Sequence, residues 1–184
     1  MVDPIDGTVN FLYGLPAYAV SIAAEVDGRT EVGVVLNVAT GELFTAVRGR
    51  GAWLTAPGAA AVQLHGSSPA SLAQALVATG FGYRSSSAGR RAPSSPSCCP
   101  RCATSAGGGA PRWTCARAAG RVDAYYELDL KPWDHAAGAL VAEEAGLVVT
   151  GTTGRAFAEP MAVAAAPQVA GALVELLERL HAGR

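Results

Sequence analysis

Ala17-Tyr18-Ala19-Val20-Ser21-Ile22-Ala23-Ala24-Glu25-Val26 is rich in apolar and β-branched residues and runs directly into Asp27-Gly28. Asp-Gly between two apolar runs is a hairpin signal, because the tight turn needs residues that tolerate positive φ. Glu31 to Val38 supplies the returning strand, Thr40-Gly41-Glu42 turns the chain again, and Leu43-Phe44-Thr45-Ala46-Val47 supplies a third. Arg48-Gly49-Arg50-Gly51 closes the set, so residues 17–54 predict an antiparallel meander of three strands.

Working outward, residues 55–74 read as a Pro/Ala/Gly/Ser connection and Ala75 to Gly80 as a short buried strand. Val122-Asp123-Ala124-Tyr125-Tyr126-Glu127 alternates like a strand. Pro132-Trp133-Asp134 opens a helix, with Asp134 as N-cap, Ala136 to Ala145 as helix formers and Gly146 as the stop. Leu147 to Thr150 and Met161 to Ala166 predict two more strands. Pro167 starts a last helix, with Val169, Leu173, Leu176, Leu177 and Leu180 on one stripe. Strands interleaved with helices predict an α/β or α+β layered fold. There is no internal repeat.

The 184 residues are 50% hydrophobic, enough for a sizeable core. A net charge of −1 argues against a nucleic-acid stripe or a membrane-surface protein. No apolar run approaches the roughly 20 residues of a membrane span. Met1-Val2-Asp3-Pro4 lacks the basic and apolar regions of a signal peptide. These features predict a soluble, cytoplasmic protein with neither nucleic acid nor membrane as partner.

The character of the chain changes in the middle. Arg84 to Gly109 is Ser, Arg, Pro, Cys and Gly with almost no aliphatic residues, a composition that predicts a disordered linker. The chain thus divides into residues 1–83, an aberrant segment at 84–117, and residues 118–184. Cys98, Cys99, Cys102 and Cys115 all fall in the aberrant segment. The C-x-x-C spacing of Cys99 and Cys102, with Cys115 beyond, leaves a zinc site open, whereas disulfides are weakly indicated in a cytosolic chain.

Chemistry concentrates at Asp3-Pro4-Ile5-Asp6-Gly7-Thr8-Val9-Asn10-Phe11. Proline and glycine can fix a turn that aims both carboxylates at one hard cation. Magnesium suits such a turn, since it takes oxygen ligands and keeps several waters. Gly7 lets the backbone approach an anion, and Thr8 adds a hydroxyl and an N–H. The same residues also describe an ordinary Asx-Pro turn with a capping Asp. Trp133-Asp134-His135-Ala136-Ala137-Gly138 is ambiguous in the same way: Asp134 is a helix cap unless the fold carries it to Asp3 and Asp6. His135 reads as a structural residue at a helix start, with a role behind a ligand as the alternative. His65 and His181 read as surface residues, and Tyr125, Tyr126 and Trp133 as core.

Asp3 to Phe11 resembles the first signature of the inositol monophosphatase family. Trp133 to Gly138, followed by Glu143-Glu144-Ala145-Gly146, resembles its second, and Gly120 to Glu127 is similar to the stretch just before it. The resemblance covers residues 1–83 and 116–184. It implies the layered α/β sandwich of the sugar-phosphatase superfamily and Mg2+-dependent hydrolysis of a small phosphate monoester. Myo-inositol monophosphate is the first expectation, with histidinol phosphate and an adenosine bisphosphate as alternatives. It further implies that Asp3, the Ile5 carbonyl, Asp6 and Asp134 hold the metal, and that Gly7 and Thr8 hold the phosphate and orient the attacking water. Glu127 would hydrogen-bond a substrate hydroxyl. Bound magnesium would lower the pKa of water, neutralise phosphoryl oxygens and stabilise the leaving alkoxide. Family members are often dimers, so a homodimer is a further expectation.

Two departures follow from the same resemblance. The family carries a helical part before its first signature, with a glutamate motif that supplies another metal ligand, yet Met1 lies only two residues before Asp3. The chain is therefore expected to lack that part, and the rival expectation is an inactive truncated relative or a non-catalytic binding protein. The family also carries a helix, a strand and a Gly-Ser-Ala-rich helix start where this chain has its Ser/Pro/Cys run. We hypothesise a reading-frame shift. GC-rich codons chosen for Ser97 to Ser105, read from their third base, give Leu-Leu-Pro-Pro-Leu-Arg-Asp-Ile, and those for Gly109 to Cys115 can give Arg-Ser-Ala-Leu-Asp-Leu. The natural frame would resume near Ala116 to Ala118. This accounts for all the cysteines lying together, which disfavours the zinc reading. Sequencing the coding DNA tests it: codons that cannot yield the aliphatic reading exclude the shift.

Overall fold

The computed structural model describes residues 1–79, 103–104, 120–152 and 161–182. All four cysteines and the proposed shifted frame lie outside the described residues, apart from the backbone of Ala103–Thr104, and so does the side chain of His181.

The first sheet has six strands in chain order: β1 (Val2–Asp6), β2 (Ala19–Val26), β3 (Arg29–Asn37), β4 (Glu42–Val47), β5 (Ala52–Thr55) and β6 (Val62–Gln63). Each pairs antiparallel with the next. The meander is therefore twice as long as the three strands legible in the sequence. β1 was hidden by Pro4, which an edge strand tolerates because it has no ladder hydrogen bond to lose on its open side. The register slips between Asp3 and Asp6, where β1 meets β2. β6 is only two residues, too short to show periodicity. The β2–β3 turn is as the Asp-Gly signal predicts, with Asp27 at φ 50° and Gly28 at φ 76°.

The second sheet is mixed, in the order β10-β11-β9-β7-β8. Its strands are β7 (Val77–Thr79), β8 (Ala103–Thr104), β9 (Ala124–Leu128), β10 (Val148–Thr150) and β11 (Met161–Ala165). β7 runs parallel to β8 and β9, and the other pairs are antiparallel. β8 lies inside the segment whose composition suggested a linker. The helices are α1 (Thr8–Leu12), α2 (Pro132–Glu144) and α3 (Pro167–Ala182), with a short 3-10 turn at Leu72–Gln74.

The layers run sheet, helix, sheet, helix. Ala19, Ala23, Val35, Phe44, Ala46 and Ala52 of the meander pack on Ala136, Ala137, Leu140 and Val141 of α2. On its other side α2 offers Ala142 to Tyr125 of β9 and to Ala162 and Ala164 of β11. Residues 136–142 of α2 are all buried, the pattern of a helix enclosed between two sheets. Ala124 and Tyr126 point the opposite way from Tyr125 and meet Ala170, Leu173 and Leu177 of α3. Val169, Leu173 and Leu177 are the buried part of the expected α3 stripe, while Leu176 and Leu180 are half-buried. The outer face of the meander keeps Ile22, Val26, Val32, Val47 and Trp53 exposed.

α2 starts earlier than the sequence suggested. Pro132 takes the first helical position, where its fixed φ suits the helix and its missing N–H costs nothing. Asp134 is therefore not the N-cap. It is the third helical residue, and its Oδ2 reaches back to accept the Lys131 N–H at 2.7 Å. Trp133 is 48% exposed rather than core, because Asp134 takes the inward position of the first turn. The far end closes as expected: Gly146 sits at φ 88°, its N–H donates to the Glu143 carbonyl at 2.9 Å, and the Leu147 N–H to the Ala142 carbonyl at 3.0 Å.

Glu143 and Glu144 lie in the last turn of α2, where the helix dipole disfavours negative charge. Both are compensated by the β4–β5 turn. Arg48 donates to Glu143 at 3.0 Å, and the Gly49 and Gly51 N–H groups each donate to Glu144 at 2.8 Å. Elsewhere, Arg121 ties the second sheet's approach to the meander. It donates to Glu42, stands 5.7 Å from the Phe44 ring centroid, and holds the Glu42 carboxyl below its usual range.

The tightest point between α2 and the meander is Gly33. A Cβ there would stand 2.7 Å from the Ala137 carbonyl oxygen and 3.1 Å from its Cα. Gly33→Val is expected to destabilise the protein by about 1–3 kcal/mol, the usual cost of overpacking. Denaturant titration checks it, and an unchanged midpoint would show that the helix does not seat on β3.

Candidate active site

The first group of predicted residues lies where β1 ends and α1 begins. The Ile5 N–H donates to Asp3 Oδ1 at 3.2 Å, a local turn that folds the Asp3 side chain back along its own strand. The Thr8 hydroxyl donates to the Ile5 carbonyl at 2.8 Å and fixes the orientation of that oxygen. A carbonyl oxygen carries two lone pairs, so one such donor does not exhaust it. Asp3 is half-buried and Asp6, the last residue of β1, is only 4% exposed.

Gly7 makes the turn possible. Its φ is 85°, which L side chains rarely adopt, and a Cβ would lie 2.8 Å from the Ala17 carbonyl oxygen. The returning chain is held by Asn10, buried in α1, whose side-chain amide donates to the same Ala17 carbonyl at 2.8 Å. The Phe11 and Tyr18 rings meet edge to face at 5.2 Å between centroids.

The second group lies at the start of α2. Asp134 is 3% exposed. The direction of α2 follows from its contacts. Its C-terminus is held at the β4–β5 turn by Glu143 and Glu144, and its middle crosses β3 at Gly33. Its N-terminus therefore points to the opposite end of the sheet, where Asn37 closes β3 and Ala19 pairs with both Asn37 and Asp6. α2 also touches β1 directly. Asp6 and Asp134 thus occupy the same end of the layered structure.

Glu127 completes this end from the second sheet. It is 3% exposed, lies on β9, and only residues 129–131 separate its strand from α2. Side chains alternate along a strand, so Glu127 shares a face with Tyr125, the face turned to α2. The Tyr125 hydroxyl donates to Glu127 Oε2.

The donor set is entirely oxygen: three carboxylates and a carbonyl. Its chemistry fits a hard divalent cation rather than a thiophilic one. Among the described residues, no three His, Cys, Asp or Glu side chains are drawn together into a metal-holding group. What the fold brings together is Asp3, Ile5, Asp6, Gly7 and Thr8 in one turn, with Asp134 and Glu127 reaching the same end from α2 and β9. His135 is half-buried beside Asp134, and burial holds its imidazole below the ordinary value against the opposing fields of Asp134 and Glu25. His65 is exposed, as expected.

Sequence reading passed over Asn10 and Asn37. Asn37 is 4% exposed and shares the inward face of β3 with Gly33 and Val35. Strand alternation counted from Val35 would have marked it as an inward polar residue. Asn10 carried no such signal, because α1 is a single short turn.

Replacing Gly7 tests the turn. Gly7→Ala forces both the positive φ and the clash with Ala17, and is expected to cost about 1–3 kcal/mol, as for other held backbone strains. Thermal unfolding reads it, and an undiminished melting temperature would mean that the turn relaxes freely.

The sequence profile of the inositol monophosphatase family matches residues 1–182. The chain is 44% identical to the inositol-1-monophosphatase SuhB of Mycobacterium tuberculosis over 183 residues, covering 98% of this chain and 63% of that protein. It is 42% identical over 156 residues to the Nus factor SuhB of Escherichia coli, covering 84% of this chain and 57% of that protein. The solved structure of Mycobacterium tuberculosis SuhB superposes with a TM-score of 0.83 at 41% identity, over 97% of this chain and 71% of that one. The chain thus spans less than two thirds of the length of these curated relatives. Over the length it does span, signatures, layer order and profile agree: this chain belongs to the inositol monophosphatase family.

Proposed function

We propose that the chain carries the metal and phosphate site of a Mg2+-dependent phosphomonoesterase acting on myo-inositol monophosphate. The observation that supports this reading is the burial of Asp6 and Asp134, 4% and 3% exposed, at one end of the fold beside the Gly7 turn. Two buried carboxyl groups carried to one end by separate backbone elements offer a hard divalent cation oxygen ligands there, beside the local donors that orient them.

In this reading Asp3, the Ile5 carbonyl, Asp6 and Asp134 hold Mg2+. Bound there, the cation supplies an acidified water and neutralises phosphoryl charge. The chain's own part is orientation. Thr8 holds the Ile5 carbonyl and places its hydroxyl and N–H at the turn, where Gly7 lets the phosphate approach the backbone. The amino end of α2 adds a partial positive charge on the same side. Glu127 accepts a hydroxyl of the alcohol portion. Histidinol phosphate and an adenosine bisphosphate remain the competing substrates in the same class.

A second reading is a non-catalytic relative. It is favoured by the lack, among the described residues, of three gathered metal-binding side chains.

Phosphate release from inositol 1-phosphate by the purified chain, with and without Mg2+, separates the two. The first reading expects release that requires Mg2+. It also expects Asp6→Asn and Asp134→Asn each to reduce release by about 100-fold or more, beyond the 10–100-fold loss typical of groups behind the ligands. Absent release would overturn it in favour of the second, and release unchanged in both variants would refute the assignment of these carboxylates to the site.

A further inference from the structure

Tyr125 is a tyrosine whose hydroxyl is buried where an apolar residue would suffice. It is 0% exposed, and its ring is packed by Leu130, Ala142, Leu147, Ala162 and Ala164. A phenylalanine would satisfy all of these contacts. The hydroxyl has a specific destination: it donates to Oε2 of Glu127, two residues along on the same face of β9. Both ends of this hydrogen bond are fixed. β9 is an inner strand, paired to β11 at Tyr125 and Glu127 and to β7 at Tyr125. The Thr79 hydroxyl further secures the intervening residue by donating to the Tyr126 carbonyl at 2.8 Å.

We infer that Tyr125 is a positioning residue for substrate specificity. By donating to one carboxyl oxygen it sets the rotation of the Glu127 group. The carboxylate then presents a directed lone pair to a hydroxyl of the substrate's alcohol portion. A carboxyl group has several acceptor sites, so the tyrosine donor orients it without occupying all of them. A hydrogen bond in a site shielded from water is electrostatically stronger than one in water, and hence a firm orienting contact. The chemical consequence is selectivity for phosphate esters of polyols. A site built to bond a hydroxyl discriminates sharply against an analogue that lacks it. The inference rests on the proposed role of Glu127 and extends it to the residue that aims it.

Calorimetric titration of the full chain with inositol 1-phosphate and with phenyl phosphate tests this, using Ca2+ as the cation so that binding is read apart from turnover. The parent chain should bind inositol 1-phosphate more tightly than phenyl phosphate. Tyr125→Phe, which keeps the ring packing, should weaken inositol 1-phosphate by about tenfold, the scale of one lost hydrogen bond. It should leave phenyl phosphate unchanged. Glu127→Gln should erase the same preference. If Tyr125→Phe weakens both ligands equally or neither, while Glu127→Gln abolishes the preference, the role of Tyr125 is overturned and that of Glu127 stands. If the parent chain shows no preference, or binds neither ligand, the substrate reading fails and the inference falls with it.

Discussion

The seating of α2 on the meander is the constraint from which the rest of the molecule follows. Gly33 removes the side chain that would keep the helix away, and the Ala137 backbone fills that space. Ala19, Ala23, Ala46 and Ala52 lower the surrounding floor of the sheet, and Ala136 and Ala145 do the same on the helix. With such short side chains at the contact, the helix has little freedom to slide or tilt without opening voids, and close-packed interiors resist voids. The second sheet then packs against the opposite side of the same helix, so an error in the seating of α2 would propagate through both layers.

The ends of α2 turn that seating into a site. At its C-terminus, negative charge sits where the helix dipole opposes it, and the cost is offset by Arg48 and the Gly49 and Gly51 amides. These contacts hold the helix to one position along its axis. At its N-terminus, Asp134 is buried and already engaged with the Lys131 amide. A carboxylate fixed by its own helix start cannot swing away to water, so its location is set by the helix. The same logic applies to Asp6, which is carried by the end of β1 and followed by a turn only glycine makes comfortably. The two carboxylates are placed by backbone elements rather than by flexible loops, which suits a site needing firm orientation.

Much of this was readable without coordinates. The Asp27-Gly28 hairpin, strands β2 to β4, the Gly146 stop and the apolar stripe of α3 follow from turn chemistry and periodicity. The edge strands did not show, because β6 is too short for a period and β1 contains a proline. The cap of α2 lies three residues before the one the sequence suggests, at Lys131, since Asp134 has the chemistry of a cap while Pro132 has the backbone of a first helical residue. Trp133 reads as core in the sequence, but its position on the helix turns it outward. Among site residues, Asp3 and Asp6 were visible as a spaced pair. Asn37 and the Tyr125–Glu127 pairing were not separated from ordinary strand residues.

The sequence by itself determined the local chemistry: which turns need glycine, which runs alternate, and that carboxyl groups rather than thiols stand at the two signatures. It also identified the family, because the residue types and spacings at Asp3 to Phe11 and Trp133 to Gly146 are specific. Only the tertiary structure decided that Asp134 shares an end of the molecule with Asp6. Some 128 positions separate them in the chain, and nothing local encodes the direction of a helix across a sheet. That direction comes from long-range packing at Gly33 and from charge compensation at the β4–β5 turn, both of which exist only once the layers have assembled.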